Sequence, residues 1–487
     1  MNIAGSSLAT SNNKVAFSVN VDRLIDLYYE NFYGAFPITT PLHYVCRRKM
    51  SENHQLQDLL LVMQWVGSIY APWTTSDPYY EKAHQALQKP TLPRNGFSVQ
   101  ALMIFAVAQH HSDLKLEARI TLNLAIAIAL ELGMNSKEFA QRNGEGNPVL
   151  EESWRRTYYL LYLTDQHFSV VVNNPTFTLR DLPNLVDLPC DDEYYELGQI
   201  PPTRTWQDYE SREFADDEVI YSSIVYLYDV ASVVSYIMRS FLATGSFGDI
   251  LLASVDAKIA AWKSLLPACK KDPLHQNGKV DEVMFLAHMI SAILIMNTHR
   301  PFSTLTYSIE ELTTESFVSA VPYVEPLKQG QGAHTARALK AADIQTKLLA
   351  IPCVIERHHP FTLCITASIA TAQVSACNFL LEDHALSIAR DRVRLSIGYL
   401  SAMGSHWPLA KKMAREVRRI ARRTLAGPQS SLAADVDPNA EIEIPRDDLI
   451  WPVGDPASQI DIYSGLVLPM TWDMSLYESP TTSSIMS

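Results

Sequence analysis

The chain has 487 residues, of which 47% are hydrophobic and 19% charged, with a formal net charge of −13. Its length exceeds an ordinary domain of roughly 100–200 residues, and its apolar share is enough to bury a substantial core. The acidic balance excludes a protein that wraps nucleic acid with its whole surface, because neutralising phosphates takes clustered lysine and arginine.

Residues 1–18 include a Ser- and Asn-rich start without the basic opening and apolar run of a secretory leader, and are expected to be disordered. From 19 to 426 the dominant hydrophobic period is helical. Over 21–33, Leu24, Leu27, Tyr28 and Phe32 recur at three- and four-residue spacings until Phe36-Pro37 breaks the run. Further helices are expected over 56–69, 99–110 and 116–132, the last stopped by Gly133. A polar loop over 135–148 leads into a helix starting near Glu151, where Glu151 and Glu152 complement the helix dipole. Residues 173–202, dense in Pro, Asp and Asn, read as a long ordered loop.

Helices resume over 217–243, 254–266 and 280–299, the last two ended by Pro267 and Pro301. A second loop at 322–332 precedes helices over 335–350, 360–381, 384–403 and 409–425. Alternating strand patterns are few and no repeat of constant period occurs, so the expected fold is all-α and multi-helical. The most apolar stretches, 120–132 and 284–296, are too short or too interrupted to span a bilayer, and no membrane contact is expected. Residues 427–487 are rich in Ser, Pro and Asp, with Arg446 the sole basic residue, and are expected to form a disordered acidic tail. Within that tail Leu468, Met470, Trp472 and Leu476 are apolar anchors that a coactivator groove could capture as a short helix.

The search for chemistry is negative. The six cysteines are dispersed with no C-x-x-C pair, as expected of reduced, mostly buried thiols. His110-His111 and His358-His359 are adjacent pairs, which point in different directions on a helix and are not expected to converge on an ion. There is no nucleophile elbow, phosphate-binding loop or dinucleotide fingerprint. Residues 190–193, Cys-Asp-Asp-Glu, lack the spacing of a calcium loop and read as solvated. No catalytic residue, metal site or cofactor is expected, and binding is favoured over catalysis.

Residues 151–165, EESWRRTYYLLYLTD, resemble the hallmark helix of fungal-specific transcription factor domains, roughly E-x-x-R-R-x-W-W-x-L-Y-x-x-D. Glu151, Arg155, Arg156 and Asp165 match it; Tyr158 and Tyr159 stand where tryptophans are commoner. Pro175 and the run from Asp187 to Glu193 resemble the proline and acidic segment that follow. Leu24 to Glu30 with Phe36-Pro37, Ala129 to Met134, Trp262 to Pro267, and Asn297 to Phe302 are similar to further family elements in the family's order. The resemblance implies an all-α regulatory domain acting in the nucleus, with a biosynthetic or metabolic gene cluster among its expected targets, through protein contacts: dimerisation, a zinc-cluster regulator or a coactivator. Its hallmark residues are expected to be structural, with Arg155 pairing Glu151 at i,i+4 and both arginines tying the helix to the acidic loop.

The family's N-terminal six-cysteine zinc cluster has no counterpart in these residues, so DNA contact is expected to be indirect or through a missing N-terminal module. A co-regulator acting only through a DNA-binding partner, and an enzyme on a helical scaffold, are the alternatives. One further feature stands out between 405 and 425. Leu409, Met413, Val417, Ile420 and Thr424 form an apolar stripe, while Lys411, Lys412, Arg415, Arg418, Arg419, Arg422 and Arg423 cover the remaining surface. Such a helix docks by its stripe and offers a basic face to nuclear import, nucleic acid or an acidic partner.

Overall fold

In the computed structural model, residues 23–50, 54–214, 218–244, 249–317, 330–379, 381 and 383–425 are described; the expectations for 1–18 and 427–487 fall outside them. Among the described residues all regular structure is helical, apart from isolated bridges such as Leu188 with Arg204. The chain opens with α1 (Arg23–Tyr28), which runs on as a π-turn over Tyr29–Tyr33 before Pro37 ends it. Then come α2 (Leu42–Met50), α3 (Gln57–Ile69) and α4 (Asp77–Leu87). The α1–α3 crossing is close because residue 67 is glycine: a Cβ there would meet the Leu24 carbonyl oxygen.

Next are α5 (Gly96–His111) and α6 (Lys115–Leu132), packed along their length. Gly133 ends α6 in the left-handed conformation at φ 73°, which makes it the expected stop. The short α7 (Lys137–Asn143) leads into α8 (Pro148–Val170), which starts earlier than expected because Asn147 caps it, accepting from Val149 N–H at 3.0 Å. The proline-rich stretch after α8 holds α9 (Asp192–Leu197), and α10 (Trp206–Glu210) follows it. The second half comprises α11 (Ser223–Thr244), α12 (Asp249–Ser264), α13 (Glu282–His299), α14 (Ile309–Leu312), α15 (Gln331–Leu349), α16 (Thr362–Phe379), α17 (Asp383–Met403) and α18 (Pro408–Leu425).

Two helices are the spine. α8 packs against α5, α6, α7 and α11, and α13 packs against α11, α12, α15 and α16. Every residue of α5 and nearly every residue of α8 is buried. That position explains a departure from expectation: Ser223–Ala243 and Glu282–Phe302 are long and apolar enough to cross a membrane. Their apolar surface is largely covered by other helices, as in the core of a globular protein.

Candidate functional site

On α8 the hallmark arginines meet a carboxylate the motif does not highlight. Arg155 Nε donates to Glu152 Oε2 and Arg156 Nε to Glu152 Oε1, both at 2.9 Å. Cys190 N–H adds a third bond to Glu152 Oε1 at 2.9 Å. The expected Arg155–Glu151 pair does not form. Glu151 lies half-buried in the first turn, where it serves the helix dipole, while Glu152 points inward one position later.

Arg156 does what was expected of both arginines. It donates to Asp192 Oδ1 at 2.6 Å and to the Cys190 carbonyl at 2.8 Å, and it lies over the Tyr195 ring. Burial opposes its charge, but Asp192 and Glu152 hold its pKa above the ordinary arginine value. The acidic loop is therefore engaged rather than simply solvated: Asp191 caps α9 and accepts from Lys270 Nζ at 2.8 Å. Lys270 also reaches Asp281, the cap of α13, at 3.2 Å, so α8, α9 and α13 are joined through one buried polar lattice.

The other hallmark residues are also internal. Tyr159 Oη donates to the Val186 carbonyl at 3.0 Å, and Tyr158 packs in the core. Asp165 accepts from Leu179 N–H at 3.1 Å and faces Arg119 Nη1 at 2.9 Å; burial raises its pKa, against the pull of Arg119. Pro175 is buried and its carbonyl accepts from Arg180 at 2.8 Å. These groups hold the loop 173–202 onto α8.

The His-Arg-Pro-Phe element repeats the principle at the end of α13. Arg300 forms a bidentate pair with buried Glu311 at 2.6 and 2.7 Å, and lies over Tyr307. His299 shares its imidazole nitrogens between Asp256 and His334, at 2.9 and 2.8 Å. In the Trp262 element the indole N–H donates to the Tyr226 carbonyl at 2.9 Å. Glu152, Arg119, Lys270, Asp256 and Glu311 escape sequence reasoning because each is distant in sequence from its partner, or sits beside a similar residue that looks equally suited.

Comparisons with known proteins identify the family. Residues 25–307 match the family model of the fungal specific transcription factor domain. The chain belongs to that family. It is 30% identical over 425 residues to the C6 finger domain transcription factor iacK of Pestalotiopsis fici, an alignment covering 86% of this chain and 62% of the relative. The chain thus spans less than two thirds of that relative's length. No solved structure matches.

In this member of the family α18, beyond the residues that the family model matches, lies as its pattern predicts. Leu409, Met413, Val417 and Ile420 are buried, and Thr424 is half-buried at the helix end. Lys411, Arg415, Arg419 and Arg422 are exposed and make no ion pair among the described residues. Lys412 instead faces Asp113 and Glu315 at 3.4 Å each, Arg418 bonds Ser401, and Arg423 pairs with Glu310 at 3.1 Å. Arg415, Arg419 and Arg422 share one surface with Arg418 and Arg423.

The histidines diverge from expectation at one place. His110 and His111 do approach each other, and with His167 from α8 their ring nitrogens lie within 4.8 Å of one another. Burial pushes all three below the ordinary imidazole pKa, His111 to about 4. One ring nitrogen from each is thus placed where the three together could hold a metal ion. His111 Nδ1 is also engaged with the Val107 carbonyl at 2.7 Å. The pair His358-His359 does separate: His358 bonds Glu282 at 2.6 Å and Cys353 at 3.2 Å, while His359 turns toward Phe361. All six cysteines are free thiols.

Proposed function

We propose that this chain is the regulatory portion of a fungal transcriptional regulator that works in the nucleus through protein contacts rather than catalysis, on genes of a biosynthetic or metabolic cluster. Family membership supports the regulatory reading, and the basic face of α18 supports the manner of action. A helix whose apolar side is wholly used in packing, yet which leaves Lys411, Arg415, Arg419 and Arg422 without carboxylate partners among the described residues, offers a charged surface for an acidic partner. An import receptor or the acidic segment of a second regulator has that chemistry. DNA contact is assigned to a six-cysteine module like that named in the relative, outside these residues or on a partner chain, because the cysteines here are dispersed. Residues 427–487, with their acidic character and apolar anchors, are the proposed coactivator segment.

The test fuses the full chain to a heterologous DNA-binding domain above a reporter and follows a fluorescent copy in the cell. Regulation by protein contact predicts a changed reporter level and nuclear accumulation. An unchanged reporter together with a cytoplasmic chain overturns the reading.

A further inference from the structure

The last turn of α5 holds His110 and His111, and the last turn of α8 holds His167. Adjacency in sequence argued against convergence, yet the third histidine, arriving from the other helix, completes a set. One ring nitrogen of each lies within 4.8 Å of the other two. Nitrogens around a tetrahedral zinc at about 2.0–2.1 Å stand about 3.4 Å apart, so the set closes on an ion by drawing in by about 1.4 Å at most. The donors are imidazoles without a carboxylate, a set that suits zinc, copper or nickel and not magnesium or calcium.

The surroundings prepare these rings to be ligands. His111 Nδ1–H donates to the Val107 carbonyl at 2.7 Å, and a carbonyl can only accept. The neutral ring therefore carries its proton on Nδ1 and its lone pair on Nε2. Histidine ligands are commonly oriented in this way, with the second ring nitrogen given to a backbone carbonyl. His167 lies flat on Phe361 with centroids 3.7 Å apart, and His110 rests against Phe168 at 4.6 Å. Neither His110 nor His167 makes a side-chain hydrogen bond to a described residue, so their nitrogens are not committed elsewhere. Burial keeps all three below the ordinary imidazole pKa, which leaves them neutral near pH 7, the form that binds metal.

Electrostatics add to this. All three rings belong to helix C-terminal turns, where the dipole's negative end favours a cation. Lys115 opposes one, but its Nζ is given to the Glu315 carbonyl at 2.8 Å. His359 also lies near His111, and it is not a fourth ligand: its Nδ1 accepts from Phe361 N–H, so its proton is on Nε2.

We propose that His110, His111 and His167 form a three-histidine site for a borderline first-row divalent cation, of which zinc is the type, clipping the end of α5 to the end of α8. His111 binds through Nε2, and a water completes the four-coordinate shell. The site stands independently of whether the chain regulates transcription.

The test takes the full chain without a histidine tag, strips it with a chelator and titrates it with zinc chloride. One tight equivalent should bind, magnesium should not compete, and the thermal midpoint should rise with zinc, because the ion binds the folded state. His167→Gln should weaken binding by at least about 100-fold, since losing an outer-shell partner alone costs about 10–100-fold. Its midpoint should no longer respond to zinc. Should His167→Gln not fold, zinc-edge X-ray absorption on the unmodified chain decides, with three imidazole nitrogens at about 2.0–2.1 Å and no sulfur expected. Failure of zinc to bind, a smaller loss in His167→Gln, or a shell with sulfur or fewer than three imidazoles overturns the proposal.

Discussion

Glu152 holds two guanidinium groups and one backbone N–H at once, and it is itself fully buried. Removing one partner of a buried ion cluster strands the others, at a cost of about 3–5 kcal/mol. Glu152→Gln should therefore lower the urea midpoint steeply, whereas Glu151→Gln, at the half-buried position next to it, should change stability by about 0.5 kcal/mol or less. Equal effects of the two would mean that Arg155 pairs with Glu151 after all. A second residue sets a pH limit. Burial pulls the His358 pKa down, but bonds to Cys353 and Glu282 prevail and raise it to about 9. Against an unfolded value near 6.5, that contribution is complete below about pH 6.5 and fades as pH rises through about 9; it is worth on the order of 3 kcal/mol. His111, His299 and His334 run the other way, since burial depresses each to about 4. Their contribution is complete above about pH 6.5 and is lost as pH falls through about 4. Thermal unfolding across pH should fall on both sides of near-neutral, and His358→Gln should flatten the alkaline side alone.

At the scale of the element, α18 separates two roles along one helix. Met413→Ala or Ile420→Ala removes buried surface and should cost about 2–5 kcal/mol in chemical denaturation. The triple change Arg415→Glu, Arg419→Glu and Arg422→Glu touches only exposed positions and should leave the unfolding midpoint nearly unchanged while weakening nuclear accumulation. If accumulation persists, the basic face is not the import or docking surface. This helix was legible in advance because its stripe and its charges are both periodic. The same holds for α6, whose Gly133 stop announces itself. By contrast α2 buries little beyond Val45, and α9 is one short turn inside a proline-rich run. Neither has an apolar period to read; α9 is held by Asp191 capping it and by Arg156 reaching Asp192 from α8, a partnership that exists only once the chain is folded. That the hallmark arginines would meet carboxylates was legible, but the choice of Glu152 over Glu151 depends on which side of α8 faces the loop. The histidine cluster was not legible at all, because His167 joins His110 and His111 from a different helix.

Over the whole molecule the charge is segregated. The last 61 residues, 427–487, hold ten Asp and Glu residues against Arg446, so most of the net charge of −13 belongs to them. The described body, in contrast, carries a compact basic surface on its final helix, and that helix ends at Leu425. Burial in the core is dominated by residues before that point, and α18 itself packs against α16, α17 and α5. Cutting the chain after Leu425 should thus leave the unfolding transition in place, because none of the buried core residues among the described ones is removed. The same cut takes away Leu468, Met470, Trp472 and Leu476, the anchors proposed for coactivator capture. Fused to a heterologous DNA-binding domain, the shortened chain should retain its thermal midpoint yet lose reporter activation. Full activation by the shortened chain would move the activating surface into the helical body. A collapsed midpoint would show that residues beyond 425 complete the core, and activation would then have to be tested with point changes at Trp472 and Leu476 in the full chain.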